Sequence, residues 1–313
     1  MNQAHKILVI GADGFIGTHF SKLCEQKGIP ILKYTRSKEK QYEKGFVNGS
    51  LQDIANEHSS LEIIVNLSGN KRDESKMQND NVEWVKTLIH FAKSRSLKIL
   101  HLGSAGVYGI AKQQTNPINE LSSPILSNIY EQTKLEADKA LQLSEINFCI
   151  IRPTNVFGEY DKESKLLNLM KQLQKGRFFF LNKKAMTNYV YAGYVAEALV
   201  QIIEKNRFQR EIFNVNQAST IEDFIQTLCE ALEIKTKPKV LPAWLHPLVL
   251  IFSKLTPILP KRMHWITPSK YRELTSEIGV SSSSLQSAFP ELNSRLNDGI
   301  SNLVAWYKAQ NKL

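Results

Sequence analysis

The chain has 313 residues, 42% of them hydrophobic and 22% charged, enough to bury a large core, and it carries neither internal repeats nor low-complexity tracts. Its net charge of +10 is unevenly held: residues 1–160 have 19 Lys/Arg against 17 Asp/Glu, and residues 161–313 have 21 against 13. No Lys/Arg run with interleaved aromatics marks a nucleic-acid surface, so the basic second half is expected either to meet an anionic small-molecule substrate or to be solvated surface.

Cys24, Cys149 and Cys229 are odd in number and far apart, which gives no metal-ligand spacing; they are expected as small core residues of a cytoplasmic chain. Ile7 already opens the first apolar run, leaving no room ahead of it for the apolar region of a secretory leader.

Ile7-Leu8-Val9-Ile10 has the pattern of a strand buried on both faces in the middle of a parallel sheet. It runs directly into glycines at 11, 14 and 17 and then into residues 18–24, whose apolar spacing is helical. Strand, glycine turn and helix N-terminus are what a dinucleotide requires, because its pyrophosphate must approach bare backbone amides. Gly11, Gly14, Phe15, Ile16 and Gly17 are therefore expected cofactor contacts. Residues 28–34 are predicted as the second strand, ending in Thr35-Arg36. An acid at that place would accept hydrogen bonds from the ribose hydroxyls of NAD; here Thr35 takes the place and the Arg36 guanidinium can pair with a 2′-phosphate. NADP(H) is expected in preference to NAD(H).

Residues 63–67 form the next predicted strand, followed by Ser68-Gly69, a helix over 82–92 and a strand over 97–102. That strand ends in Gly103-Ser104, at the carboxyl edge where such sheets bind their ligands. A helix carrying Tyr130 and Lys134 follows, then a strand over 148–151 that leads into Arg152-Pro153-Thr154-Asn155. The alternation predicts an α/β chain with a Rossmann-type, doubly wound parallel sheet. After residue 160 the pattern loosens into a helix from Leu166, a strand over 178–181, a helix over 194–203, a strand over 212–215 expected to return to the main sheet, and a helix capped by Thr220 or Ser219. Val240 to Pro260 is apolar but interrupted by four prolines, too broken to cross a bilayer, and is expected as a buried or lid helix rather than one lying on a membrane surface. The expected division is a dinucleotide-binding domain over 1–160, also receiving about 188–216, and a smaller, mostly helical substrate domain from 161–187 and 217–313.

Tyr130 and Lys134, four apart, share a helix face. An ammonium beside the phenol would favour its ionised form and lower a pKa ordinarily about 10. A tyrosine so tuned can exchange a proton with a carbinol oxygen that Ser104 holds by hydrogen bonding. Ser104, Tyr130 and Lys134 are the expected catalytic set for hydride transfer with a nicotinamide.

In order along the chain stand Gly11-x-x-Gly14-Phe15-Ile16-Gly17, Ser104-Ala105-Gly106-Val107-Tyr108-Gly109, Tyr130-x-x-x-Lys134 and Arg152-Pro153-Thr154-Asn155-Val156-Phe157-Gly158, with Phe213-Asn214-Val215 beyond them. In these motifs the chain resembles the extended short-chain dehydrogenases/reductases, a family of nucleotide-sugar epimerases, dehydratases and ketoreductases. The resemblance implies that Lys134 also holds the nicotinamide ribose, that Leu67, Ser68, Gly69 and Pro153 complete the cofactor contacts, and that Asn155 faces the substrate. Arg177, Arg262 or Arg72 is a candidate for the substrate's negative charge, and a homodimer through the Tyr130 helix and the helix before it is expected.

Family members that eliminate water carry an Asp-Glu pair where this chain has Ala105-Gly106, and those that invert C3 and C5 carry a cysteine at Ala105. The 4-epimerases usually have an arginine near Thr187 and an aspartate near Tyr194, both missing here. The resulting expectation is NADP(H)-dependent reduction of a keto group on a nucleotide-linked 4-keto-6-deoxysugar, with Tyr130 as general acid. A 4-epimerase with tightly held NAD is the second reading. A non-catalytic NADP-binding sensor or scaffold is the third, and the presence of both Tyr130 and Lys134 argues against it. No metal, nucleic acid or transmembrane segment is expected.

Overall fold

Apolar residues of both parities along a strand leave it no solvent face, so each such strand must lie between two covering layers. The computed structural model, which describes residues 6–35, 45–114, 116–163, 165–235, 238–255, 267–293 and 295–313, places them so. The first half runs β1 (Ile7–Ile10), α1 (Phe15–Gln26), β2 (Ile31–Tyr34), β3 (Phe46–Val47), α2 (Leu51–Glu57), β4 (Ile63–Asn66), α3 (Glu74–Met77), α4 (Trp84–Arg95), β5 (Lys98–Leu102), α5 (Ile129–Leu143) and β6 (Phe148–Pro153). There follow β7 (Asn155–Phe157), α6 (Lys165–Gln174), β8 (Phe179–Phe180), β9 (Met186–Thr187), β10 (Tyr189–Tyr191), α7 (Ala192–Glu204), β11 (Glu211–Val215), β12 (Ser219–Thr220), α8 (Ile221–Ala231), β13 (Lys239–Val240), α9 (His246–Leu255), α10 (Pro268–Thr275), α11 (Ser283–Ala288) and α12 (Leu296–Ala309).

Seven of the strands form one parallel sheet in the order β3-β2-β1-β4-β5-β6-β11. Ile7 lies opposite both Ile31 and Ile63, and Ile150 opposite Ile212, so the late strand β11 does return to the main sheet. Val9, Val65 and Ile151 face the layer of α1 and α7, where Phe20 and Leu199 are buried. Leu8, Ile64 and Ile150 face the opposite layer, packed on Ile54, Leu88 and Leu141 of α2, α4 and α5. All three cysteines are free and buried. The strand order runs outward from β1 in both directions, which opens a crevice at the carboxyl ends of β1 and β4.

Three sequence expectations change. The second strand begins at Ile31, after a left-handed Gly28, and the predicted helix over 82–92 is a π-helical turn over 78–83 that continues as α4. The stretch from Val240, expected as a buried or lid helix, is only partly buried where it is described: α9 packs beside α10 and Ser253 is buried, while Trp244 is 73% exposed and Leu248 and Ile251 are each 57% exposed. Arg36 and Arg262 lie outside the described residues. Among those described, no helix is long and apolar enough to cross a membrane.

Ile64 is fully buried in a central strand. Its truncation in Ile64→Ala is expected to lower the unfolding free energy by about 2–5 kcal/mol, read from the midpoint of a urea titration at unchanged slope.

Candidate active site

The turn from β1 to α1 is closed to side chains. Gly11 has φ +80°, in the left-handed region, and a Cβ there would lie 2.9 Å from the backbone of Leu67 and Ser68. A Cβ on Gly17 would lie 2.0 Å from the Gly11 carbonyl oxygen. Gly14 is the N-cap of α1 and no side chain caps the helix, so its first amides keep their capacity for an anion. These residues fit a dinucleotide pyrophosphate, because the cradle exists only where Cβ atoms are missing.

The neighbouring strand end is built to match. The Leu67 amide donates to the Ile10 carbonyl at 2.9 Å, holding the end of β4 against β1. The Ser68 hydroxyl donates to Asn66 Oδ1 at 2.6 Å, and the Asn66 amide donates to His101 Nδ1 at 3.2 Å. Beyond Gly69 the loop is fastened by Asn81, from the π-helical turn. Asn81 Oδ1 accepts from the Asn70 amide at 2.6 Å, while its Nδ2 donates to the Asn70 carbonyl at 2.8 Å and to Thr133 Oγ1 of α5 at 3.0 Å. A Cβ on Gly69 would lie 3.8 Å from Lys134 Nζ, so this loop passes directly over the lysine.

Ser104 has extended backbone at the end of β5, and its Oγ accepts from the Gly106 amide at 3.1 Å, opening a 3-10 turn over Ala105–Tyr108. The Asn128 side chain caps α5 by accepting from the Glu131 amide at 2.9 Å, which puts Tyr130 in the first turn of that helix. There the phenol is half-buried on the side of Ser104. Burial raises the Tyr130 pKa, and the nearby Ser104 hydroxyl partly offsets that.

Lys134, one turn on, is 3% exposed and donates from Nζ to the Leu102 carbonyl. Burial pulls its pKa down to about 8, against the pull of the Asp138 carboxylate. The expectation that Lys134 lowers the pKa of Tyr130 is thus corrected. The ammonium is committed to the end of β5, and what governs the phenol is the loss of water around it.

Beneath these residues lies a buried polar network that the sequence reading did not single out. Asp138, a further turn along α5, is fully buried and accepts from Arg152 Nε at 2.8 Å. Arg152 Nη1 donates to the Tyr108 hydroxyl at 2.6 Å, which donates in turn to Asn214 Oδ1 at 3.1 Å. The other carboxylate oxygen of Asp138 has no hydrogen-bond partner among the described residues; His101 Nε2 is 3.8 Å away and a Cβ on Gly103 would be 3.0 Å away. Burial holds His101 neutral, its pKa well below the ordinary value. The available signal was the spacing of Tyr130, Lys134 and Asp138, each four residues from the last on one helix face.

Asn155, in β7, is exposed, and its amide donates to the Asn188 carbonyl at 2.9 Å. Pro153 is buried at the end of β6 opposite Val215. Glu163 accepts from Lys71 Nζ at 2.8 Å, with Arg72 Nε at 3.9 Å, and its charge acts on Tyr130. Arg177 is exposed beyond the end of α6, without a side-chain partner among the described residues. Thr187 is buried, donating to the Ser219 carbonyl at 3.1 Å, and Tyr194 is buried in the core, so neither offers a charge.

A parallel sheet with a side-chain-free turn at its crevice, a serine beyond the end of β5 and a tyrosine and lysine on the first turns of α5 defines a dinucleotide-binding enzyme scaffold. The description "NAD dependent epimerase/dehydratase family" matches residues 7–216, and the chain belongs to that family. Its fold is shared with WbmG of Bordetella bronchiseptica in complex with NAD (16% identity, TM-score 0.71, covering 99% of this chain and 96% of that one). It is shared also with a dTDP-glucose 4,6-dehydratase of Bacillus anthracis in complex with NAD (17%, 0.70, covering 99% and 98%). A third similar structure is the UDP-glucuronic acid 4-epimerase of Bacillus cereus in complex with NAD (16%, 0.69, covering 97% and 98%).

Two outcomes follow from the close contacts. Gly17→Ala is expected to abolish dinucleotide binding in a fluorescence titration, because the turn must open to admit the methyl group. Asp138→Ala leaves Arg152 charged and unpaired in the interior, and thermal unfolding should report a loss of about 3–5 kcal/mol.

Proposed function

We propose that this protein reduces a keto group on a nucleotide-linked sugar, of the 4-keto-6-deoxysugar type, with NADPH as reductant. The reading is carried by Tyr130, a phenol that burial keeps protonated, facing Ser104 at the carboxyl edge of the sheet. A group that holds its proton is suited to giving it to an oxyanion as the carbonyl is reduced. Elimination of water would need an acid and a base beside Ser104, and Ala105-Gly106 supply neither.

Gly11, Gly14, Phe15, Ile16 and Gly17 would hold the dinucleotide's pyrophosphate, with Leu67, Ser68, Gly69, Lys134 and Pro153 at the nicotinamide side. When bound, the nicotinamide supplies the hydride. Ser104 would fix the carbonyl oxygen by hydrogen bonding, Tyr130 would protonate it, and the ammonium of Lys134 would keep the site positive while charge develops. Asn155 and the helical part formed by residues 161–187 and 217–313 would contact the sugar nucleotide. The preference for NADPH rests on Thr35-Arg36, where an acid suited to NAD is missing.

Tyr130→Phe is expected to lower turnover about 10²–10⁴-fold while cofactor affinity stays unchanged. Since the Lys134 pKa is lowered to about 8, its ammonium is present below that pH and lost above it; kcat/KM should therefore be level at neutral pH and fall as pH rises through about 8. The cofactor held by freshly purified protein decides the direction of the chemistry. An empty protein that prefers NADPH supports the reductase, whereas stoichiometric, tightly held NAD overturns it in favour of a 4-epimerase using the same three groups.

A further inference from the structure

The charge surplus of the second half has a single location. Residues 234–272 contain eight Lys/Arg and no Asp or Glu, while the remainder of 161–313 carries 13 of each. Within that stretch lies the apolar face left uncovered beside α10. Trp244, Leu248 and Ile251 are spaced as neighbours on one side of a helix, and Val240 at its entrance is 49% exposed. Phe179, 50% exposed, stands opposite Lys239 across the β8–β13 pair, on the other face of that ladder from Val240. Four of the eight large apolar side chains most exposed among the described residues, Val240, Trp244, Leu248 and Ile251, therefore lie within twelve residues of one another, with Lys235, Lys239 and Lys254 exposed on the same stretch.

We infer that α9 and its flanks form a docking surface for an anionic membrane, the helix lying in the interfacial plane. The charge pattern selects this occupant over others. A two-fold contact with a second copy would bring the exposed Lys235, Lys239 and Lys254 against their counterparts, and like charges would oppose it. A protein partner is a poorer match because lysine is depleted in protein interfaces, and six of the eight cations are lysines. A lipid surface needs no matched geometry: apolar residues enter between the headgroups, a tryptophan sits at the boundary, and lysines collect anionic headgroups around them. Lys254, on the exposed side of α9, can lay its aliphatic stem on the apolar face and keep its ammonium at headgroup level.

Flotation of the full chain with vesicles tests this. The protein should float with vesicles of phosphatidylcholine mixed with phosphatidylglycerol, remain behind with phosphatidylcholine alone, and be released as ionic strength rises. Its tryptophan emission should shift to the blue with the anionic vesicles, and Trp244→Phe should remove that shift. The double variant Leu248→Glu/Ile251→Glu should lose flotation while dinucleotide affinity and melting midpoint stay as in the wild type, since both side chains already face solvent. Failure of the wild type to float with anionic vesicles overturns the inference, as does flotation unchanged in the double variant. Concentration-dependent self-association that the double variant abolishes, without vesicle binding, would assign the face to a second copy instead.

Discussion

The ion pair between Asp138 and Arg152 is the constraint on which the geometry of the candidate site rests. It joins α5 to β6 in the interior, at 2.8 Å and with both groups almost without solvent. Because Tyr130, Lys134 and Asp138 occupy successive turns of one helix face, holding the carboxylate fixes the rotation of α5 and with it the direction of the phenol and the ammonium. A buried pair of this kind contributes little net stability, since desolvation of both charges cancels much of their attraction. Its effect is on position. Arg152 carries the constraint further, through Tyr108 to Asn214 on the outermost strand, so one chain of polar contacts spans β5's exit loop, β6 and β11.

The cofactor side is governed by exclusion in place of attraction. Gly11 and Gly17 bring the first turn against the end of β4 and against itself more tightly than any side chain allows. The loop beyond β4 is then held down by Asn81 and reaches over Lys134. The loops that follow the adjacent strands β1 and β4 thus meet each other, the second of them beside one lysine, and burial of that lysine brings its protonation equilibrium into a range where ordinary pH changes matter.

Much of this was readable from local pattern. The doubly apolar strands, the glycine spacing and the Tyr130–Lys134 pair each declare themselves within a few residues, and the parallel sheet follows from their alternation. What could not be read depends on partners far along the chain. Lys134 was expected against Tyr130 because the two are helix neighbours, but its hydrogen bond goes to Leu102, 32 residues earlier. The apolar stretch of α9 was expected to be buried because apolarity usually implies it; whether a face is covered depends on whether another layer reaches it, which composition does not encode. Asn81 and Asp138 gave no signal as single letters. Their importance comes from the backbone and the charge that the fold places beside them.

Gly103 illustrates what such packing does to the history of a chain. The residue before Ser104 has little room to vary, because the Asp138 carboxylate, Ile150 and Arg152 stand 3.0–3.2 Å from where a Cβ would lie and each would have to shift to admit one. The floor of the candidate site therefore resists change by small steps. Change in what the crevice admits comes more easily at its rim, around the exposed Asn155 and the half-buried Glu163, where neighbours can yield. Conservatism of chemistry and plasticity of substrate are in this respect two outcomes of one distribution of free volume.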